Sequence, residues 1–283
     1  ATAEDNDDNG TQTAYNALVI SPIFTLTADG EPTGTTEVGT GGTQDDGPAP
    51  TGFTDTNTDD DGDMTLDFGF VPLMSVGSTV FTDVANDGLL NGTDAGISGV
   101  TLQLFNADGT AYDQDPYTAG VQIYTTMTNG SGHYIFTSLL PGNYYIEIAT
   151  PPAATPYSSS PAVTDTDANN QQDNDDNGIQ APTGGAVRTS VFALIPNSEP
   201  VAGESAAQGG NQDDGTFDND GDMTLDFGFI TPVSVGNYVW YDTNQDGQQG
   251  PTATEPVAAG VTVRLYDANG TEIPTGPDGI LGN

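Results

Sequence analysis

The sequence predicts an all-β fold: tandem two-sheet β-sandwich domains carrying long Asp-rich loops. Three observations predict it. Apolar residues alternate with polar ones in short runs, and no helical periodicity lasts longer than a turn or two. Glycine and proline are abundant, 37 and 19 of 283 residues, and they separate those runs. The chain also repeats itself over a distance far longer than a solenoid period, which indicates tandem whole domains.

The strand candidates follow in order. Residues 76–82 (VGSTVFT) and their copy 235–241 (VGNYVWY) are rich in β-branched and aromatic side chains. Val100, Leu102 and Leu104 alternate with Thr101, Gln103 and Phe105. Residues 122–127 form a further run, and Asn129-Gly130 makes a turn into residues 133–136. Tyr144, Ile146 and Ile148 alternate with Tyr145 and Glu147. Residues 187–195 read as one more strand. In the last run Met223, Leu225, Phe227 and Phe229 alternate with Thr224, Asp226 and Gly228, which places the second set outward. Seven or so short strands of this kind make a two-sheet sandwich.

The repeat sets the domain boundaries. DGDMTLDFGF stands at residues 61–70 and again at 220–229, 159 residues apart. DNDDNG stands at residues 5–10 and 173–178. Residues 1–73 match the back part of a domain, 74–232 a complete copy, and 233–283 the front part of a third. The natural protein is therefore expected to continue in both directions. The junctions at residues 70–75 and 229–234 are short and each contains proline, so successive domains are expected to be held stiffly.

Charge excludes several functions. The net charge is −39, with 41 acidic residues against two basic ones, Arg188 and Arg264, and no lysine. Nothing in the chain could neutralise phosphates, so nucleic acid is excluded as a partner, and an anionic membrane surface with it. No apolar run approaches membrane-span length, so no membrane insertion is expected of this segment. Cysteine is absent, which removes disulfides and thiolate metal sites. Of the acids 33 are Asp and only eight Glu. Asp favours turns and ligates hard cations, so the excess belongs to the loops.

Those loops supply the metal candidates. Asp242, Asn244 and Asp246 place oxygens at alternate positions before Gly247, as a calcium loop requires. The backbone carbonyl of Gln248 and the carboxylate of Glu255 could complete the shell. The copy upstream keeps Asp83 and Asp87, puts Ala85 in place of the middle ligand, and offers Asp94 as the closing acid. Asp218, Asp220 and Asp222, with their copies Asp59, Asp61 and Asp63, group three acids before a strand. Asp173, Asp175 and Asn177, with Asp5, Asp7 and Asn9, form a further D-x-D-x-N loop. Without a cation such clusters repel themselves. The alternative readings are an acidic surface turn for any one loop and salt adaptation for the whole chain. Salt adaptation predicts acids on strand faces as well as in loops. Catalytic residues are not expected: His133 is the lone histidine and has no partner set, and no carboxylate pair stands out. Trp240 and Tyr241 read as packing residues. The Asn-Gly-Ser/Thr sequences at Asn91, Asn129 and Asn269 match glycosylation sequons but read first as hairpin turns.

Several of these pieces together resemble a known family. They are VGNYVWYDTNQDGQQG at residues 235–250, VAAGVTVRLYDANG at 257–270, ISGVTLQLFNADG at 97–109, GHYIFTSLLPGNYYIEI at 132–148, and the closing DMTLDFGF. The pattern looks like the SdrD B-like repeat, a relative of the collagen-adhesin B-type domain of bacterial surface proteins. The resemblance implies an extracellular, immunoglobulin-like or prealbumin-like β-sandwich in tandem stalk arrays, with Ca2+ in the Asp-rich loops. Many collagen-adhesin B-type domains carry a Lys–Asn isopeptide crosslink, and a chain without lysine cannot form one. The expected function is a non-enzymatic structural segment of an extracellular stalk, fibre or filament at the cell surface. Its partners would be neighbouring copies of the same repeat, in a tandem array or a homopolymeric filament. An adhesin module for an unidentified surface ligand and an accessory region of a secreted enzyme are the alternatives.

Overall fold

The computed structural model describes residues 8–14, 17–27, 65–159, 163–170, 172–182, 184–201, 220–231, 233–266 and 268–273. Among the described residues, regular secondary structure, twelve strands, lies between Met74 and Ile230.

The hub is β1 (Met74–Thr82), a nine-residue strand buried along almost its whole length. Its first half pairs antiparallel with β5 (His133–Leu139) and parallel with β11 (Gly221–Asp222). Its second half pairs antiparallel with β2 (Ala95–Gly96) and parallel with β12 (Phe227–Ile230). β7 (Tyr157–Ser158) closes the far edge of β12 and completes a six-stranded sheet. The β1–β12 register sets Val80 beside Phe227 and Thr82 beside Phe229. Met74 and Ser75, which the sequence reading places in the inter-domain junction, are the opening residues of β1 and are buried.

The second six-stranded sheet orders β4 (Thr125–Met127), β3 (Thr101–Asn106), β6 (Gly142–Ile148), β9 (Val187–Arg188) and β8 (Ile179–Gln180), with β10 (Phe192–Leu194) also on β6. Leu102, Leu104, Tyr144, Ile146 and Ile148 point inward from it. They meet Met74, Val76, Val80, Tyr134, Phe136, Phe227 and Phe229 from the first sheet in one hydrophobic core. Two sheets closed on a shared core make the β-sandwich that the alternating runs predict.

The structure departs from the expected strands in three places. Residues 187–195 are not one strand. β9 and β10 both pair with β6, but the register slips by one residue between the pairs Arg188–Glu147 and Phe192–Tyr144. Thr189 occupies this bulge: its N–H donates to Ile146 O, and its Oγ1 accepts the Ile146 N–H at 3.1 Å. The run 222–229 does not alternate in burial. Thr224, Asp226 and Gly228 are buried along with Met223, Leu225 and Phe227, because the 173–178 loop covers their other side. Residues 235–241 form no regular strand. Their backbone pairing is the bridge between Trp240 and Val257 with its adjoining hydrogen bonds. Among the described residues, no segment flanks them as β5 and β12 flank β1.

Candidate metal centre

The turn at 242–247 is folded by its own side chains. Asp242 Oδ1 accepts the Asp246 N–H at 3.2 Å, and Oδ2 accepts the Gly247 N–H at 3.0 Å. Asn244 Nδ2 donates to Asp246 Oδ2, and Asp246 Oδ1 accepts the Gln248 N–H at 2.8 Å. Gln245 and Gly247 both take positive φ, which bends the loop tightly enough for these bonds. Glu255 enters from the next turn. It is 2 % exposed; Oε2 accepts the Gly250 N–H, while Oε1 is buried and receives no hydrogen bond. Oxygens of Asp242, Asp246 and Glu255 lie within 4.8 Å of one another. Two unit charges about 4 Å apart repel by about 4 kcal/mol at an effective dielectric of about 20. Three converging carboxylates, one with an orphaned buried oxygen, could hold a hard divalent cation.

The upstream copy has the same backbone and a different electrostatic outcome. Asn86 and Gly88 take positive φ at the positions of Gln245 and Gly247. Asp83 Oδ1 accepts the Asp87 N–H and Oδ2 the Gly88 N–H, as Asp242 does for Asp246 and Gly247. Asp94 stands in for Glu255, its Oδ2 accepting the Asn91 N–H at 2.9 Å. Its other oxygen, however, accepts the Val84 N–H at 2.8 Å. Asp83 is held further by Ser159 Oγ at 2.9 Å, and Asp87 by Asn91 Nδ2. Backbone and amide donors therefore supply this loop, and its three acids do not converge as those of the downstream loop do.

The described members of the other predicted clusters turn to separate hydrogen-bond partners. Asp173, Asp175 and Asn177 face three ways. Asp173 accepts from Ser78 Oγ and Asn174 Nδ2. Asn177 Oδ1 accepts the Asp226 N–H at 2.9 Å. Asp175 faces Asp165 and Asn170, and burial, then the Asp165 charge, push its carboxyl up to about 7. Asp220 and Asp222 are both buried. Asp220 Oδ1 accepts the Asn197 N–H, and Asp222 Oδ1 accepts the Thr224 N–H and Oγ1. Glu199, which the sequence reading did not single out, stands beside them and is pushed up to about 7 by burial. Asn9 pairs with Asp67. Asp5, Asp7, Asp59, Asp61, Asp63 and Asp218 lie outside the described residues.

Two buried acids were not legible as functional positions. Asp226 is fully buried; Oδ1 accepts Ser78 Oγ at 2.7 Å and the Thr79 N–H at 3.0 Å, and Oδ2 the Asn174 N–H at 2.8 Å. Burial, followed by the Asp173 charge, raises its carboxyl well above the usual range. Asp176 Oδ1 accepts the Gly178 and Gly228 N–H groups, each at 2.8 Å, and burial pushes it up to about 6. These acids tie the 173–178 loop to β1 and β12. His133 is half-buried against Thr79, with no catalytic partner set around it among the described residues. No helix among the described residues is long and apolar enough to cross a membrane.

Comparison with known proteins bears on the family. The family model described as the SdrD B-like domain matches residues 74–187 and 233–279. Serine-aspartate repeat-containing protein F of Staphylococcus epidermidis is 33 % identical over 235 residues, covering 82 % of this chain and 11 % of its own length. Serine-aspartate repeat-containing proteins E and D of Staphylococcus aureus are each 33 % identical over 75 % of this chain, which spans 14 % and 12 % of them. Among solved structures, a minor pilin of Streptococcus agalactiae aligns with a TM-score of 0.28 and 8 % identity, over 59 % of this chain and 48 % of the pilin, too slight a likeness to carry an argument. The two matched segments open on related sequences, VGSTVFTDVANDG at 76–88 and VGNYVWYDTNQDG at 235–247, and the chain belongs to the SdrD B-like domain family.

Proposed function

We propose that the chain is a non-enzymatic structural segment of an extracellular, cell-surface stalk or fibre, stiffened by Ca2+ bound in its Asp-rich loops. The observation that carries the calcium reading is Glu255 Oε1, buried and without a donor beside Asp242 and Asp246. Asp242, Asp246 and Glu255 would hold the ion, with Asn244 and the Gln248 carbonyl completing the shell. The ion would supply the positive charge that so acidic a chain lacks. Because the unfolded chain has no such site, binding adds to folding stability. Neighbouring repeats would be the partners, in a tandem array. Melting the chain in excess chelator and again with Ca2+ restored tests the reading. A substantial, reversible drop in melting temperature is expected, and an unchanged curve rejects it.

A second reading, an adhesive face, is favoured by one feature. Phe105 and Tyr145 stack in parallel with centroids 5.0 Å apart on the outer side of the second sheet, and Arg188 lies over Tyr145 at 5.8 Å. This patch is remote in sequence from the 242–255 loop and presents the rings and a rare cation together. Binding to a glycan or protein surface that Tyr145→Ala abolishes would select this reading.

A further inference from the structure

Asn-Gly pairs stand at residues 9–10, 91–92, 129–130, 177–178 and 269–270. In four of them the glycine is accounted for locally. Gly10 N donates to Asp8 Oδ1, and Gly178 N to Asp176 Oδ1, each at 2.8 Å. Gly92 and Gly270 take φ of 55° and 82°, the left-handed region that glycine enters freely. Gly130 differs on both counts. It lies outside that region, a Cβ built on it would meet nothing within 4 Å, and among the described residues its N–H makes no hydrogen bond.

The turn around Gly130 is firmly closed. Asn129 N donates to His133 O at 2.9 Å and Gly132 N to Asn129 O at 3.1 Å, while Val80 N donates to Gly132 O at 2.9 Å and ties the turn to β1. The Asn129 side chain folds over the turn. Its Oδ1 accepts the Ser131 N–H at 2.8 Å and the His133 N–H at 3.1 Å. Asn129, Gly130 and Ser131 are exposed, so water reaches the amide. Two backbone N–H groups on one amide oxygen draw electrons from Cγ. They also stand where negative charge gathers when that carbon is attacked. The nucleophile that connectivity supplies is the Gly130 nitrogen, which has no Cβ beside it to hinder approach. Asn91 lacks this arrangement: its Nδ2 donates to Asp87 Oδ2, and among the described residues its Oδ1 accepts no hydrogen bond.

We propose that Asn129-Gly130 is a self-modifying turn, whose asparagine converts without an enzyme to aspartate and isoaspartate through a succinimide. The Gly130 nitrogen gives its proton to solvent base and bonds to Asn129 Cγ. The charge that develops on Oδ1 is held by the Ser131 and His133 N–H groups. The Cγ–Nδ2 bond then breaks, and Nδ2 takes a proton from water and leaves as ammonia. Water opens the ring at either carbonyl, giving aspartate or, with the backbone rerouted through Cγ, isoaspartate. The aspartate keeps acceptors for both N–H groups. The isoaspartate lengthens the backbone just ahead of β5, beside Gly132, which is packed so closely that a Cβ there would stand 2.5 Å from Val80 O. The two products therefore differ in their effect on the pairing of β5 with β1.

The test follows the whole chain held in mildly alkaline heavy-oxygen water and sampled over weeks, with protease digests read by mass spectrometry. The peptide carrying Asn129 is expected to gain the mass of an amide-to-acid conversion together with a heavy oxygen, about tenfold faster than the peptide carrying Asn91. Isoaspartyl-specific methylation should label part of it. Gly130→Ala, which the open Cβ position admits, should keep the melting temperature of the unaged chain and lose the acid product over the same period. An Asn129 peptide that stays amidated, or that converts no faster than the Asn91 peptide, overturns the proposal. So does a Gly130→Ala chain that converts at the wild-type rate. Should that variant fail to fold, the ratio of the two rates in the wild type decides.

Discussion

Asn177 and Asp226 exchange two hydrogen bonds across 49 residues: Asn177 N donates to Asp226 O at 3.0 Å, and Asp226 N donates to Asn177 Oδ1 at 2.9 Å. Asn9 and Asp67 do the same at 2.9 and 3.0 Å. The neighbours match as well. Asp8 Oδ1 accepts the Gly10 and Gly69 N–H groups as Asp176 Oδ1 accepts those of Gly178 and Gly228. The DNDDNG and DMTLDFGF motifs therefore recur together because they form one clasp. Asn177→Ala leaves the buried Asp226 N–H unpaired and is expected to cost about 1–3 kcal/mol. Asn9→Ala should leave the urea midpoint of the sandwich between Met74 and Ile230 unchanged. Equal shifts from the two substitutions would contradict this assignment.

Asp83 and Asp242 are related by sequence and distinguished by their partners. Asp83→Asn weakens acceptance from Asp87 N, Gly88 N and Ser159 Oγ, so it should lower the melting temperature whether or not calcium is present. Asp242→Asn weakens the matching bonds from Asp246 N and Gly247 N in an exposed turn, so in chelator it should lower the melting temperature less than Asp83→Asn does, and it should lower it more in calcium than in chelator. Scanning calorimetry of both variants in both buffers separates the roles; identical behaviour would show that the two loops do the same work.

Gly228 is the closest approach in the β12 region. A Cβ there would stand 2.4 Å from Ser159 Oγ and 3.0 Å from Phe81 Cζ. Gly228→Ala is expected to destabilise the sandwich by about 1–3 kcal/mol through overpacking. Removing the Ser159 hydroxyl in the double variant should recover part of that loss, as neighbouring sites couple. Strict additivity in denaturant melts would contradict the contact.

The buried acids give the calcium-free chain a definite pH response. Burial raises Asp176 to about 6 and Glu199 to about 7. A carboxyl whose folded-state value is raised holds its proton more tightly in the folded chain. Stability is then greatest near the unfolded values, around pH 4, and is lost as pH rises through 6 to 7. In chelator the melting temperature should fall between pH 5 and pH 8. A rise over that interval would show that these acids are neutralised in some other way.

The inward sets of β3 and β6 were readable from alternation alone, because each strand has one face in the core and one outside. The same rule failed for 222–229. Asp226 sits in a polar position of the pattern yet is fully buried, since a loop 49 residues upstream covers it. Local sequence carries no signal for that partner. The closing loops were legible only in part. Alternate spacing located Asp242, Asn244 and Asp246, but spacing alone could not show that Val84 N–H occupies the closing acid of the upstream copy. Asp175 was visible as one of a D-x-D-x-N set, whereas its actual neighbours come from Asp165 and Asn170. Asp165, Asp167 and Asn169 carry the same alternate-oxygen spacing, and that signal could have drawn attention to the loop.

β1 and β12 run in the same direction, with Val80 beside Phe227 and Thr82 beside Phe229. Tension applied at Met74 and at Ile230 therefore drags the two strands past each other lengthwise. Their cross-links are strained in unison, not unzipped one after another. The first and last regular strands of the sandwich thus meet in shear, and under such a load their pairing would yield as one unit.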